Sequence, residues 1–165
     1  MIPMRGPFIA LIALLFAGNV RSQPFAIGTT SLALHDDVRD RDVPCTVYYP
    51  ALAAGADAAV AVGAFPTLVF GHGFVMTVNA YTYLGDHFAS EGYIVALPTT
   101  EGGFSPDHAG FGQDLAFVST TLQTLGADPG SPFNGHVAPA SALMGHSMGA
   151  ATVMRVGAEY PDLAS

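Results

Sequence analysis

The sequence predicts an α/β fold, a mostly parallel sheet with helices on both faces. Three observations carry that expectation. Thr67-Leu68-Val69-Phe70, Tyr93-Ile94-Val95-Ala96-Leu97 and Ala142-Leu143-Met144 are short apolar runs of the kind that fill buried parallel strands. The stretches between them carry apolar residues at helical spacing. The last run continues through Gly145-His146-Ser147-Met148-Gly149 into a further helix-like segment, so strands and helices alternate along the chain.

The chain begins with a positively charged Met1 to Arg5, ten apolar residues from Phe8 to Ala17, and a polar Gly18-Asn19-Val20-Arg21-Ser22. This is the layout of a secretory signal, with cleavage expected between Ser22 and Gln23 and a secreted or periplasmic product. Ten apolar residues fall well short of the ~20 that span a bilayer, so no stable membrane anchor is expected. The remainder has the length of one ordinary domain.

Ile27 to Leu34 and Val43 to Tyr49 read as two antiparallel strands joined by the charged segment His35-Asp36-Asp37-Val38-Arg39-Asp40-Arg41-Asp42. That segment lacks the Gly and terminal Glu of a calcium loop and reads as a solvated turn. Ala51 to Phe65 is an Ala/Gly-rich loop closed by Pro66. After the Thr67 to Phe70 strand, Tyr81, Leu84, Phe88 and Ala89 mark a helix that ends at Glu91-Gly92. Pro98 stops the next strand. From Phe111, the positions Leu115, Val118, Leu122 and Leu125 trace one face of a long helix, and Ala127 to Pro139 reads as a loop.

Charge and cysteine content narrow the function classes. The chain carries a net charge of −8 and contains no Lys. After the signal, only Arg39, Arg41 and Arg155 stand against 13 carboxylates, which makes nucleic acid and anionic membranes poor partners. Cys45 is the sole cysteine and reads as a buried thiol, or as half of a bridge to sequence lying elsewhere. No Cys/His cluster has metal-ligand spacing, and neither a metal nor an organic cofactor is expected.

Gly145-His146-Ser147-Met148-Gly149 has the form Gly-x-Ser-x-Gly at a strand-to-helix junction. Such a turn strains the backbone of its central residue, and Gly145 and Gly149 keep Cβ atoms out of the space where strand and helix nearly touch. Ser147 is therefore the candidate nucleophile. At the N-terminus of the following helix, the helix dipole and the Met148 N–H favour developing negative charge.

Four motifs in order resemble the α/β-hydrolase superfamily. They are Tyr49-Pro50, Phe65-Pro66-Thr67-Leu68-Val69-Phe70-Gly71-His72-Gly73-Phe74, Leu84-Gly85-Asp86-His87-Phe88-Ala89-Ser90-Glu91-Gly92-Tyr93-Ile94-Val95, and Gly145 to Gly149. They are most similar to an exported group of cutinase-like polyester hydrolases, chlorophyllases and dienelactone-hydrolase-like proteins. The resemblance implies that Ser147 is the nucleophile and that the backbone N–H groups of Phe74 and Met148 form an oxyanion hole. The Phe74 ring reads as a substrate wall or as a core residue. Thr99 departs from the resemblance, because relatives commonly place Asp after the Pro.

A serine nucleophile needs a base oriented by a carboxylate, and in this fold the chain order is Ser, Asp or Glu, then His. No His follows Ser147, and Asp162 is the last acidic residue. None of the six histidines suits the role: His146 should point away from the hydroxyl, His72 reads as scaffolding, and His35, His87, His108 and His136 fall in turns, helices or loops. The expectation is an Asp and a His beyond Ser165, in a longer protein whose further strands follow the elbow helix. Residues 23–165 alone would then expose the Ala142 to Gly145 strand as a sheet edge and be largely insoluble or molten.

The leading expectation is an exported serine hydrolase that cleaves carboxylic esters through an acyl-enzyme on Ser147. Its partner would be an ester substrate, and the oligomeric state stays open. Two alternatives remain at this point: a non-catalytic half-hydrolase that binds ligands or partners, and a serine acyltransferase that passes the acyl group to an alcohol.

Overall fold

The structure, a computed structural model, describes residues 24–159. The expected signal segment, and the chain after Glu159, lie outside them. A six-stranded sheet has the spatial order β3-β1-β2-β5-β4-β6. β1 (Ala26–Asp36) and β2 (Arg41–Ala51) form a long antiparallel hairpin, and the two-residue β3 (Gly55–Ala56) lies parallel to β1 at the outer edge. β4 (Phe65–Gly71), β5 (Ile94–Pro98) and β6 (Val137–Gly145) run parallel to one another, and β2 joins them antiparallel through β5. The result is the mostly parallel mixed sheet expected.

Among the described residues three helices cover it: α1 (Thr82–Ser90, entered by a 3-10 turn over Val78–Tyr81), α2 (His108–Ala127) and α3 (Met148–Glu159). α1 packs on one face with Tyr48, Leu68, Phe70, Val95 and Leu97. α2 covers the other face through Phe111, Leu115, Val118 and Leu122, all fully buried against β-strand residues such as Val47, Val69 and Ile94. Each of those four side chains contributes on the order of 1.5–3 kcal/mol by leaving water. α3 lies beside α2 and buries Met148 into the same core. Alternation along β2 explains the two faces: Val43, Cys45, Val47 and Tyr49 point to the α2 side, and Tyr48 points to the α1 side. Burial pushes the Cys45 thiol pKa well up, as an inert core cysteine requires.

Two expectations need correction. Ala127 to Pro139 is not all loop, because β6 already starts at Val137. Phe65 pairs with Val137 and Thr67 with Ser141, so the single residue Pro66 on β4 lies opposite three on β6; Ala138-Pro139-Ala140 bulge out and Pro139 needs no ladder N–H. The Ala142 to Met144 run forms the sheet edge expected of residues 23–165: Ala142 and Met144 are exposed, because β6 is outermost and pairs only with β4 among the described residues. The charged hairpin turn is not simply solvated. Its arginines reach across to Asp114, a fully buried carboxylate on α2.

The connections fix where a site can form. From β4 the chain crosses over α1 to β5 on one side, whereas β6 lies on β4's other side. The loop after β4 leads to the α1 face and the turn after β6 leads to the α2 face. Parallel sheets open a crevice at the carboxyl ends of strands where connections diverge in this way. Gly71 and Gly145 are paired there.

Candidate active site

At the end of β6 the chain turns into α3 with only His146 and Ser147 between strand and helix. Ser147 has φ of +52°, in the left-handed region that costs a residue with a Cβ ~1–2 kcal/mol. The strain persists because both neighbours are pinned. His146 N–H donates to Gly71 O at 3.0 Å, and Gly149 N–H donates to His72 O at 3.1 Å and to His146 O at 3.0 Å. The sequence expectation of a sharp elbow is met, and the Ser147 side chain is exposed to solvent at the crevice.

Both elbow glycines are sterically required. A Cβ on Gly149 would collide with the Gly71 carbonyl oxygen, and one on Gly145 would lie 2.6 Å from Ala150 N. Backbone cannot move aside as a flexible side chain does, so α3 can reach β4 only because these positions lack Cβ atoms. That closeness brings the start of α3, with the Met148 N–H, to the end of β4.

The segment after β4 is equally constrained. Gly73 O accepts from Met76 N–H at 3.1 Å, which closes a turn with Phe74 and Val75 at its corners. Val75 has φ of +55°, an uncommon state for a β-branched residue. His72 is buried, stacks on Phe111 with ring centroids 4.8 Å apart, and sets Nε2 2.7 Å from Thr100 O and Nδ1 2.9 Å from Gly73 O. A neutral imidazole carries one N–H, so the ring donates to one of these two carbonyls and is held in place by it and by Phe111, in agreement with a scaffolding role. A trans peptide holds its N–H opposite its C=O, so fixing Gly73 O also fixes the direction of the Phe74 N–H. Among the described residues neither the Phe74 nor the Met148 N–H is donated to another group. The Phe74 side chain is 51% exposed, which removes the reading of it as a core residue.

Behind this segment, Asp114 accepts from Arg39 Nη1 at 2.8 Å, Arg41 Nη2 at 2.8 Å and Thr100 Oγ1 at 2.7 Å. Arg41 also bonds Glu101, whose backbone has φ of +62°. Bonds to Asp114 and then Glu101 raise the Arg41 pKa. Desolvation lowers that of Arg39, but its bonds to Asp36 and Asp114 outweigh it and leave the value raised. The network ties the hairpin turn and the loop after β5 to α2, and that loop carries the carbonyl that meets His72. Thr99, at the departure from the expected Asp, holds the same loop through Pro44 O.

Sequence reasoning missed Asp114 and Tyr81. Asp114 shares the core-facing stripe of α2 with Phe111 and Leu115, and a carboxylate there opposite a turn with two arginines was the available signal. Tyr81 read as one more apolar helix position. Its hydroxyl in fact accepts from Gly73 N–H at 2.9 Å and lies 2.8 Å from His146 Nδ1. Beside it an open hollow of ≈ 350 Å³ is lined by Phe70, Met76, Tyr83, Leu84, Met144 and His146. Among the described residues no histidine is hydrogen-bonded to the Ser147 hydroxyl, no cluster of His, Cys, Asp or Glu could hold a metal ion, and no helix is long and apolar enough to cross a membrane.

A strained serine between strand and helix, at the carboxyl end of a mostly parallel sheet, is the arrangement of the α/β-hydrolases. The profile of the serine aminopeptidase S33 family, part of that superfamily, matches residues 64–165, well over half of the chain. The chain belongs to the S33 family. The matched region starts just before β4 and takes in the whole site. This S33 member also shares its fold with the ferulic acid esterase from Streptomyces cinnamoneus, with a TM-score of 0.66 at 23% identity. The likeness covers 83% of this chain and 56% of the esterase, so the chain spans little more than half the length of that structure. No curated protein matches it.

Proposed function

We propose that the chain is the nucleophile-bearing part of a serine hydrolase that cleaves carboxylic esters. The carrying observation is Ser147 held at φ of +52° and exposed in the elbow, with the free Phe74 and Met148 amides on the two segments that meet there. In this reading Ser147 Oγ attacks the ester carbonyl and gives up its proton to a base. The carbonyl oxygen takes the negative charge and is held by the Phe74 and Met148 N–H groups, where loss of one such donor typically costs 10²- to 10³-fold. The tetrahedral adduct collapses, the alcohol leaves with the base's proton, and water releases the acid from Ser147 by the same steps in reverse.

The base and its carboxylate belong, in this proposal, to the part of the fold this chain does not cover. His72 is 1% exposed, with its ring packed on Phe111 and its nitrogens facing the Thr100 and Gly73 carbonyls, which disfavours it as a substitute. The S33 description names a peptidase and the structural neighbour an esterase. The motif resemblance to exported polyester hydrolases and chlorophyllases favours esters, and the signal-like N-terminus favours action outside the cytoplasm.

The test uses the full-length protein and p-nitrophenyl butyrate. Hydrolysis should be saturable, and Ser147→Ala should lower kcat by at least 10³-fold with the fold retained. Unchanged turnover in that variant would refute the assignment. Product analysis with an added alcohol separates hydrolysis from acyl transfer.

A further inference from the structure

Two backbone rungs tie the elbow to the end of β4: His146 N–H to Gly71 O and Gly149 N–H to His72 O. The next residue along, Gly73, has no backbone rung to the elbow. Its N–H is buried and donates instead to the Tyr81 hydroxyl at 2.9 Å. That hydroxyl also lies 2.8 Å from His146 Nδ1 and 2.9 Å from Met76 Sδ. In either tautomer of His146, Gly73 N–H, the Tyr81 hydroxyl and His146 Nδ1 form one continuous chain of hydrogen bonds, each polarising the next.

We propose that Tyr81 is a positioning residue that sets the spacing between the two oxyanion amides. The inference rests on the functional reading above. Gly73 immediately precedes Phe74, and His146 stands two residues before Met148, so the relay spans the two segments that carry the amides. Its surroundings suit a brace. Tyr81 is 3% exposed and its ring packs on Phe70 with centroids 4.8 Å apart, so the hydroxyl is held by a fixed ring. The relay is also tightly fitted: a Cβ on Gly73 would lie 2.9 Å from His146 Nδ1 and 3.1 Å from the Tyr81 hydroxyl. The hydroxyl itself need not touch substrate. It acts by keeping the Phe74 peptide at the distance that suits a tetrahedral oxyanion, a tolerance that matters because a misplacement of ~1 Å can cost ~10²-fold.

The test compares wild type with Tyr81→Phe in the full-length protein, with active sites titrated by a fluorophosphonate. Turnover of p-nitrophenyl acetate per titrated site should fall about tenfold with KM within twofold. Affinity for an aryl boronic acid, which mimics the tetrahedral state, should fall by the same factor as kcat/KM. A lower melting temperature with unchanged kcat and unchanged boronate affinity would show a purely structural tyrosine and overturn the proposal. Should Tyr81→Phe not fold, His146→Ala cuts the relay at its other end and should give a several-fold loss in the same two readouts; no loss would overturn it equally. Ser147→Ala separates the two levels. If that variant keeps full activity the serine assignment fails, whereas if it is dead and Tyr81→Phe is normal only the brace fails.

Discussion

Two glycines of the same helix should respond to alanine with opposite signs. Gly149 opens α3 against β4, and its added Cβ would run into the carbonyl groups of Gly71 and His72, with the His72 oxygen 2.8 Å away. Ordinary carbon-to-oxygen contacts need more room, both partners are backbone, and the two bonds that Gly149 N–H makes resist separation. The helix must lift from the sheet, at a cost of ~3 kcal/mol, the upper end of the usual overpacking range. Gly157 lies on the exposed side of α3, where an added Cβ meets nothing within 4 Å. There alanine should stabilise by ~0.5–1 kcal/mol through helix propensity. The gap between Gly149→Ala and Gly157→Ala is then about 3.5–4 kcal/mol, a large share of a domain's stability of ~5–15 kcal/mol. Urea unfolding of the full-length protein with a common slope measures it. Equal effects, or a Gly149→Ala loss under ~0.5 kcal/mol, would refute the claim that contact between α3 and β4 requires a bare Cα.

Other expectations follow from the same geometry. Asp114→Asn removes the one charge that both arginines share in a buried setting; it should cost ~3 kcal/mol or more by thermal or urea unfolding, and a loss below 1 kcal/mol would show the network to be idle. The Arg39 bond, with the Arg39 and Val38 amides, holds the Asp36 carboxyl below its usual value, so its contribution is complete above about pH 4 and vanishes as pH falls through the lowered pKa. Melting temperatures from pH 5 to 2.5 should therefore drop less steeply in Asp36→Asn, and an unchanged slope would contradict the pairing. The Asp42 bond raises the His35 pKa, so that contribution is present below about 6.5 and fades as pH rises through the raised value. Proton NMR should show Asp42→Asn returning His35 toward 6.5. Residues 23–165 expressed alone should associate through the unpaired outer edge of β6, where Ala142 and Met144 are exposed; a monomer with a cooperative melt would contradict this.

Much of the fold was legible because local chemistry and tertiary need coincided. Val69, Ile94, Val95 and Leu115 are apolar at positions where a sheet covered by helices on both faces buries them, and Gly145 and Gly149 flank Ser147 where strand and helix meet too closely for a Cβ. The hairpin turn was misread for the opposite reason. Arg39 and Arg41 look solvated until α2 brings Asp114 beneath them, a contact more than 70 residues away in sequence. The same holds for Tyr81, whose apolar ring satisfied the helix pattern while its hydroxyl served a strand end. The apolar run Ala142 to Met144 by itself reads as a buried strand; its place at the sheet edge was legible only through the strand order that the motif resemblance implies.

The central claim is that Ser147 is a nucleophile held in a strained elbow. The direct measurement is peptide mapping by mass spectrometry after the full-length protein reacts with a fluorophosphonate. One adduct per chain is expected, on Ser147, and it disappears in Ser147→Ala. An adduct on another residue, or labelling that persists in Ser147→Ala, would contradict it.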